Sequence, residues 1–123
     1  MIGLIGVPYN QMNCWQLVEK YLGVEVAVPE DILISPRAQV VFRDDMKHQF
    51  VEINAKELRD GDVILHGTHI ALYLDNAAAN GILHSIDPYS EFIPCTKWEA
   101  RTGLNNKIDQ NFGRPTFYRL IGA

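Results

Sequence analysis

Residues 58–76 read LRDGDVILHGTHIALYLDN. Two runs rich in apolar and β-branched residues, Asp62 to His66 and His69 to Asp75, face each other across Gly67-Thr68, which predicts an antiparallel hairpin. In the second run, alternation places His69, Ala71 and Tyr73 on one face and Ile70, Leu72 and Leu74 on the other. Asn76 to Gly81 is turn-rich, with three alanines between two asparagines. Gly81 to Ile86 then returns as a strand that carries His84 on the same face as Ile82 and Ile86. With a hairpin loop at Asp75 to Ala78, the expected register sets His69 directly opposite His84. The small Ala71 beside His69 would leave room for a helix terminus. Phe50 to Ile53, Glu91 to Cys95 and Phe117 to Ile121 are further strand candidates.

Upstream lies a helix over residues 14 to 22. Asn13 is a good N-cap, Gln16 stands three residues later as in a capping box, and Gly23 is placed to end the helix. Cys14, Leu17, Val18 and Tyr21 follow the spacing of one helical face. Residues 24 to 36, with Pro29 and Pro36, read as extended or irregular, followed by a short helix over 36 to 44. Helices first and then a meander of strands is an α+β pattern, not an alternating βαβ one.

The chain has 123 residues, 47% hydrophobic and 21% charged, which suits one globular domain over 1–123 and leaves no room for two independent cores. Its net charge is −4 and it has no Lys/Arg cluster, so nucleic acid is not an expected partner. Two cysteines, Cys14 and Cys95, are too few for a disulfide framework. The start, MIGLIGVP, lacks a basic region and its apolar run is broken by Gly3, Gly6 and Pro8. No secretory signal and no membrane span are expected. Synthesis in the cytoplasm follows, and action outside the cell would need another carrier or lysis.

Cys14 sits at the start of a capped helix, where unpaired N–H groups and the dipole favour an anion. A cysteine so placed can have its pKa lowered from about 8.5 into the range of roughly 3.5 to 7.5. Alternatively, Cys14 is a small hydrophobe on the buried stripe it shares with Leu17 and Tyr21. A nucleophilic thiol needs a base, and the base needs an orienting group. Two histidines, His69 and His84, side by side on adjacent strands would supply both, although a core histidine satisfied by backbone is the plainer alternative. His66, across the turn, is a second candidate base. Zinc held by His66, His69, His84 and Cys14 or Cys95 is a further possibility, but no carboxylate or Cys-x-x-Cys set completes it. No metal or other cofactor is expected.

The remaining polar features have plainer readings. His48 lies in a charged loop. Asp60-Gly61-Asp62 makes a turn with exposed carboxylates, and Asn105 to Asn111 is a polar loop. Trp15 and Trp98 are expected to be buried, though either could stack on a sugar or peptide. Arg114 and Arg119 read as surface charges.

GVPYNQMNCWQLVEKYLGVEV (6–26), then LRDGDVILHGTHIALYLDN, then GILHS (81–85), resembles the NlpC-type papain-like cysteine peptidases of bacterial cell walls. That family has a Tyr upstream of a Cys-bearing helix and a Leu-x-x-Gly-Asp segment. A His opens a strand of the form His-hydrophobic-Gly/Ala-hydrophobic-Tyr, and a polar residue, often His, follows on the next strand. The Trp after the cysteine is similar to phage tail-associated members. Where the family commonly has Asp before the cysteine, this chain has Asn13.

The resemblance implies a papain-like α+β fold with Cys14 as nucleophile, His69 as base and His84 as the orienting residue. Tyr9 and Asn13 would be substrate or oxyanion contacts. It implies hydrolysis of peptide bonds in peptidoglycan stem peptides without a cofactor. A chain of net charge −4 is not built to adhere to an anionic wall, which points to delivery by phage tail proteins. Two other functions use the same residues: a tail module with catalysis weak or lost, and a thiol acyltransferase.

Overall fold

The computed structural model describes residues 2–24, 49–66, 69–86, 88–102 and 115–122. Helix α1 spans Cys14–Leu22, as its caps predict. The Asn13 carboxamide oxygen accepts the Gln16 amide and the Gln16 carboxamide oxygen accepts the Asn13 amide, each at 2.9 Å. Two N–H groups at the helix start are thereby satisfied. Gly23 closes α1 in the left-handed region at φ 68°, donating its N–H to the Glu19 carbonyl.

The strands are β1 (Phe50–Ile53), β2 (Val63–His66), β3 (His69–Asp75), β4 (Asn80–Ser85), β5 (Ser90–Pro94) and β6 (Thr116–Leu120). They form one sheet in the order β1-β6-β2-β3-β4-β5, with every neighbouring pair antiparallel. The α+β class holds: α1 packs on a six-stranded antiparallel sheet. Among the described residues no helix is long and apolar enough to cross a membrane.

The alternation read in the sequence sorts the core into two clusters. Leu17, Val18 and Trp15 of α1 pack on Val63, Leu65, Ile70, Leu72, Leu74 and Leu83. Leu17 and Val18 are fully buried, and each such burial contributes roughly 1.5–3 kcal/mol. On the opposite face Ile64, Ala71, Tyr73, Ile82 and Phe117 pack with Leu58 and Ala100. Ala71 therefore makes no opening for α1, because its side chain points away from the helix. Ala100 belongs to a helix the sequence reading omitted, α2 (Lys97–Thr102). A reciprocal bond pair starts α2: the Thr96 amide donates to the Glu99 carboxylate and the Glu99 amide to the Thr96 hydroxyl.

The β3–β4 register differs from expectation by two residues. Asp75 pairs with Asn80 and Leu72 with Leu83, so the loop is Asn76 to Ala79. Asn76 builds that loop: its amide donates to the Ala79 carbonyl, and its side-chain oxygen accepts from Ala78 and Ala79. Continued by one pair, the register sets His84 across from Ala71, with His69 one step away along the diagonal. A two-residue shift preserves the face, so both histidines still share one side of the sheet.

Asp62 and Arg119 are also corrected. Asp62 is buried, and its carboxylate accepts Arg119 Nε at 2.9 Å and Nη2 at 2.8 Å, as well as the Arg59 amide at 2.8 Å. Arg119 further donates to the Glu57 carbonyl. This pair ties the turn before β2 to β6. The Gly67-Thr68 turn, residues 25–36, the helix expected over 36–44, His48, Arg114 and the loop at 105–111 lie outside the described residues.

Candidate active site

Hydrogen bonds to β4 and β5 bring the start of α1 to the sheet. The Ser90 amide donates to the Val7 carbonyl and the Gly6 amide to the Ser90 carbonyl, both at 2.9 Å, so the N-terminal segment lies along edge strand β5. The Ser85 hydroxyl at the end of β4 donates to the Met12 carbonyl. Met12 itself is fully buried, and Asn13 and Cys14 follow it directly.

Cys14 is 3% exposed. Its thiol is met by the backbone amide of Ile70, the Tyr9 hydroxyl and the amides of Trp15 and Cys14 itself, all of which favour a thiolate. Burial nevertheless outweighs them and pushes the thiol above its ordinary value. The pKa depression expected from the helix terminus is thus reversed. The helix dipole is present, but the sulfur has also lost its water.

His69 and His84 meet as the sequence suggested, through a diagonal contact. His69 Nε2 lies 2.8 Å from His84 Nδ1, with the rings edge-on at an interplanar angle of 78°. His84 is fully buried, and its Nε2 lies 2.9 Å from Glu91 Oε1. Glu91 is the residue directly across the β4–β5 pair from His84. Sequence reading assigned it no part. The signal that locates it, strand pairing between positions 84 and 91, requires the register.

Burial first, and then the neighbouring His84 and His66, hold His69 down at about 3 from an ordinary 6.5. In the resting site Cys14 is therefore a neutral thiol and His69 a neutral imidazole near neutral pH. The thiol faces the amide of Ile70, the residue directly after His69 at the start of β3. His69 hydrogen-bonds His84, not Cys14.

The other expected residues fall as follows. Tyr9 stands against the thiol, while the side-chain oxygen of Asn13 is committed to the helix cap. His66 is buried and pairs in register with His69 at the β2–β3 end. Among the described residues no group of three His, Cys, Asp or Glu side chains is arranged to hold a metal ion. Trp15 is buried, but Trp98 is 65% exposed, with the Arg101 guanidinium 5.5 Å from its ring centre. A groove of about 650 Å³ beside Trp98 is lined by Glu52, Asn54, Arg101 and Thr116, and by none of Cys14, His69 or His84. Cys95 is half-buried just past β5, and burial followed by the Glu99 charge raises its thiol as well.

Comparison with protein-family models, with curated proteins and with solved structures finds no match to this chain.

Proposed function

We propose that this chain is a papain-like cysteine peptidase or amidase of the NlpC type that hydrolyses peptide bonds in peptidoglycan stem peptides. The observation that carries this reading is the hydrogen-bonded His69–His84 pair at the strand end whose Ile70 amide faces the Cys14 thiol. As Cys14 sulfur attacks the scissile carbonyl carbon, its proton passes to His69 Nδ1, the nitrogen not bonded to His84. Amides at the start of α1 hold the tetrahedral oxyanion, with Tyr9 beside them. His69 then protonates the departing amine as the C–N bond breaks and a thioester forms. Water hydrolyses the thioester, giving a carboxylate and the free thiol. His84 keeps the His69 ring in its working orientation, the third member's part in such triads.

Net charge −4 favours delivery to the anionic wall by a larger assembly such as a phage tail. Digestion of purified muropeptides followed by mass spectrometry tests the activity. Shortened stem peptides with the native chain and none with Cys14→Ala support it; intact muropeptides from both overturn it.

A second reading, a tail interaction module with catalysis weak or lost, is favoured by the burial of Cys14 and the absence of a Cys14–His69 hydrogen bond. It would show saturable binding without cleavage. Acyl transfer to an amine by the same thiol would appear in that digestion as a ligated peptide.

A further inference from the structure

We propose that Glu91 is a positioning residue that sets the ring tautomers of both His84 and His69, so that His69 presents a bare Nδ1. The inference deepens the peptidase reading and rests on it for its meaning in catalysis. A neutral imidazole carries one N–H and one bare nitrogen, and which is which follows from its partners. As a carboxylate, Glu91 can only accept, so His84 Nε2 must be the donor in their 2.9 Å bond. His84 Nδ1 is then bare and accepts from His69 Nε2–H across 2.8 Å. The proton on His69 is thereby confined to Nε2, and Nδ1 is left to take the thiol proton. When His69 gains that proton, the new cation is two hydrogen bonds from the Glu91 charge.

The backbone holds this relay in place. His84 and Glu91 are cross-strand partners on β4 and β5. At Gly81, three residues before His84, a Cβ would fall 2.1 Å from the Ile93 carbonyl oxygen, so the two strands approach there as only glycine allows. Ser90, adjacent to Glu91, is bonded through both its amide and carbonyl to the N-terminal segment that leads to Cys14. With Glu91 in place His84 is fully sealed from water, so the carboxylate and not solvent meets its Nε2. The Glu91 side chain keeps 27% exposure, which spares the charge full desolvation.

The test is long-range proton–nitrogen NMR of the full chain labelled with ¹⁵N-histidine, near neutral pH, on the native protein, Glu91→Ala and Glu91→Gln. The native spectrum is expected to show both rings protonated at Nε2. Glu91→Ala should turn both into mixtures. Glu91→Gln, whose amide oxygen can accept the same bond, should restore the native pattern. Glu91→Ser provides a second truncation if the alanine variant does not fold. In muropeptide cleavage, truncation should lower kcat on the order of 10²-fold with KM little changed, the low end of a general-base contribution. Native tautomers on both rings in the truncated variants, or a change confined to His84, would overturn the relay. Absence of cleavage by the native chain would sink the peptidase reading alone, because the tautomers are measured without substrate.

Discussion

The depressed basicity of His69 makes the fold acid-sensitive by a calculable amount. In the folded chain His69 takes up its proton at about 3, against an ordinary 6.5. Between those values the unfolded chain binds one more proton than the folded chain, so unfolding free energy rises with pH and falls on acidification. The contribution is complete above pH 6.5 and is lost as pH drops toward about 3. Linkage gives a loss from this one group of about 2 kcal/mol between pH 7.5 and 5. His69 is half-buried, so partial hydration of the imidazolium will trim that figure. Urea unfolding followed by the fluorescence of buried Trp15 at several pH values would measure it in the native chain and in His69→Gln. Carboxylates contribute to acid sensitivity in both proteins, so the difference between the two pH curves isolates His69. Expected is a native curve that steepens below pH 6.5 relative to the variant. Parallel curves would refute the assignment of a half-buried, proton-resisting imidazole.

Other perturbations should act locally. Arg119→Met strands the buried Asp62 carboxylate and should cost about 3 kcal/mol in denaturant unfolding. Gly81→Ala drives a methyl into the Ile93 carbonyl and should destabilise by about 3 kcal/mol, read from the thermal midpoint. His84→Asn should retain measurable muropeptide cleavage, because an amide can still bond the His69 ring, whereas His69→Asn should abolish it. With both thiols raised, iodoacetamide at about pH 6 should label Cys14 slowly in the native chain and quickly in urea, as read by peptide mapping.

What the sequence disclosed was what neighbouring residues decide. The caps at Asn13, Gln16 and Gly23 act within one helical turn of their own positions, so α1 was legible to the residue. The β3 alternation was equally local, and it correctly paired His69 with His84 on one face even though the register was two residues off. The slip came from the hairpin loop. Three alanines carry no turn preference, and Asn76 capping the loop was not distinguishable from Asn80 doing so. Glu91 and the Asp62–Arg119 pair were hidden for another reason: one contact crosses between strands and the other ties a turn to a strand, and no local pattern announces either. Helix α2 is by contrast locally encoded, since Thr96 and Glu99 spell a capping box. Both the helix-terminus effect on Cys14 and its place on a buried stripe were readable, but which of them prevails was not, because the extent of solvent exclusion belongs to the assembled fold.

That reversal changes how the site must work if it is a peptidase. Burial disfavours both members of a thiolate–imidazolium pair, raising Cys14 and lowering His69, so the resting state is neutral on both sides. A preformed ion pair is therefore not available to attack a substrate. Proton transfer and bond formation must be coupled: the charge leaving sulfur goes at once onto the carbonyl oxygen, while the proton moves to His69. The groups able to stabilise the two developing charges are already in place. The Ile70, Trp15 and Cys14 amides and the Tyr9 hydroxyl surround the sulfur, and His84 and Glu91 lie behind the imidazole. The same desolvation that suppresses the resting thiolate strengthens each of these interactions once charge appears. A thiol that resists alkylation in the free protein is thus compatible with one that reacts when a substrate carbonyl receives its charge. The two are told apart by turnover, not by labelling.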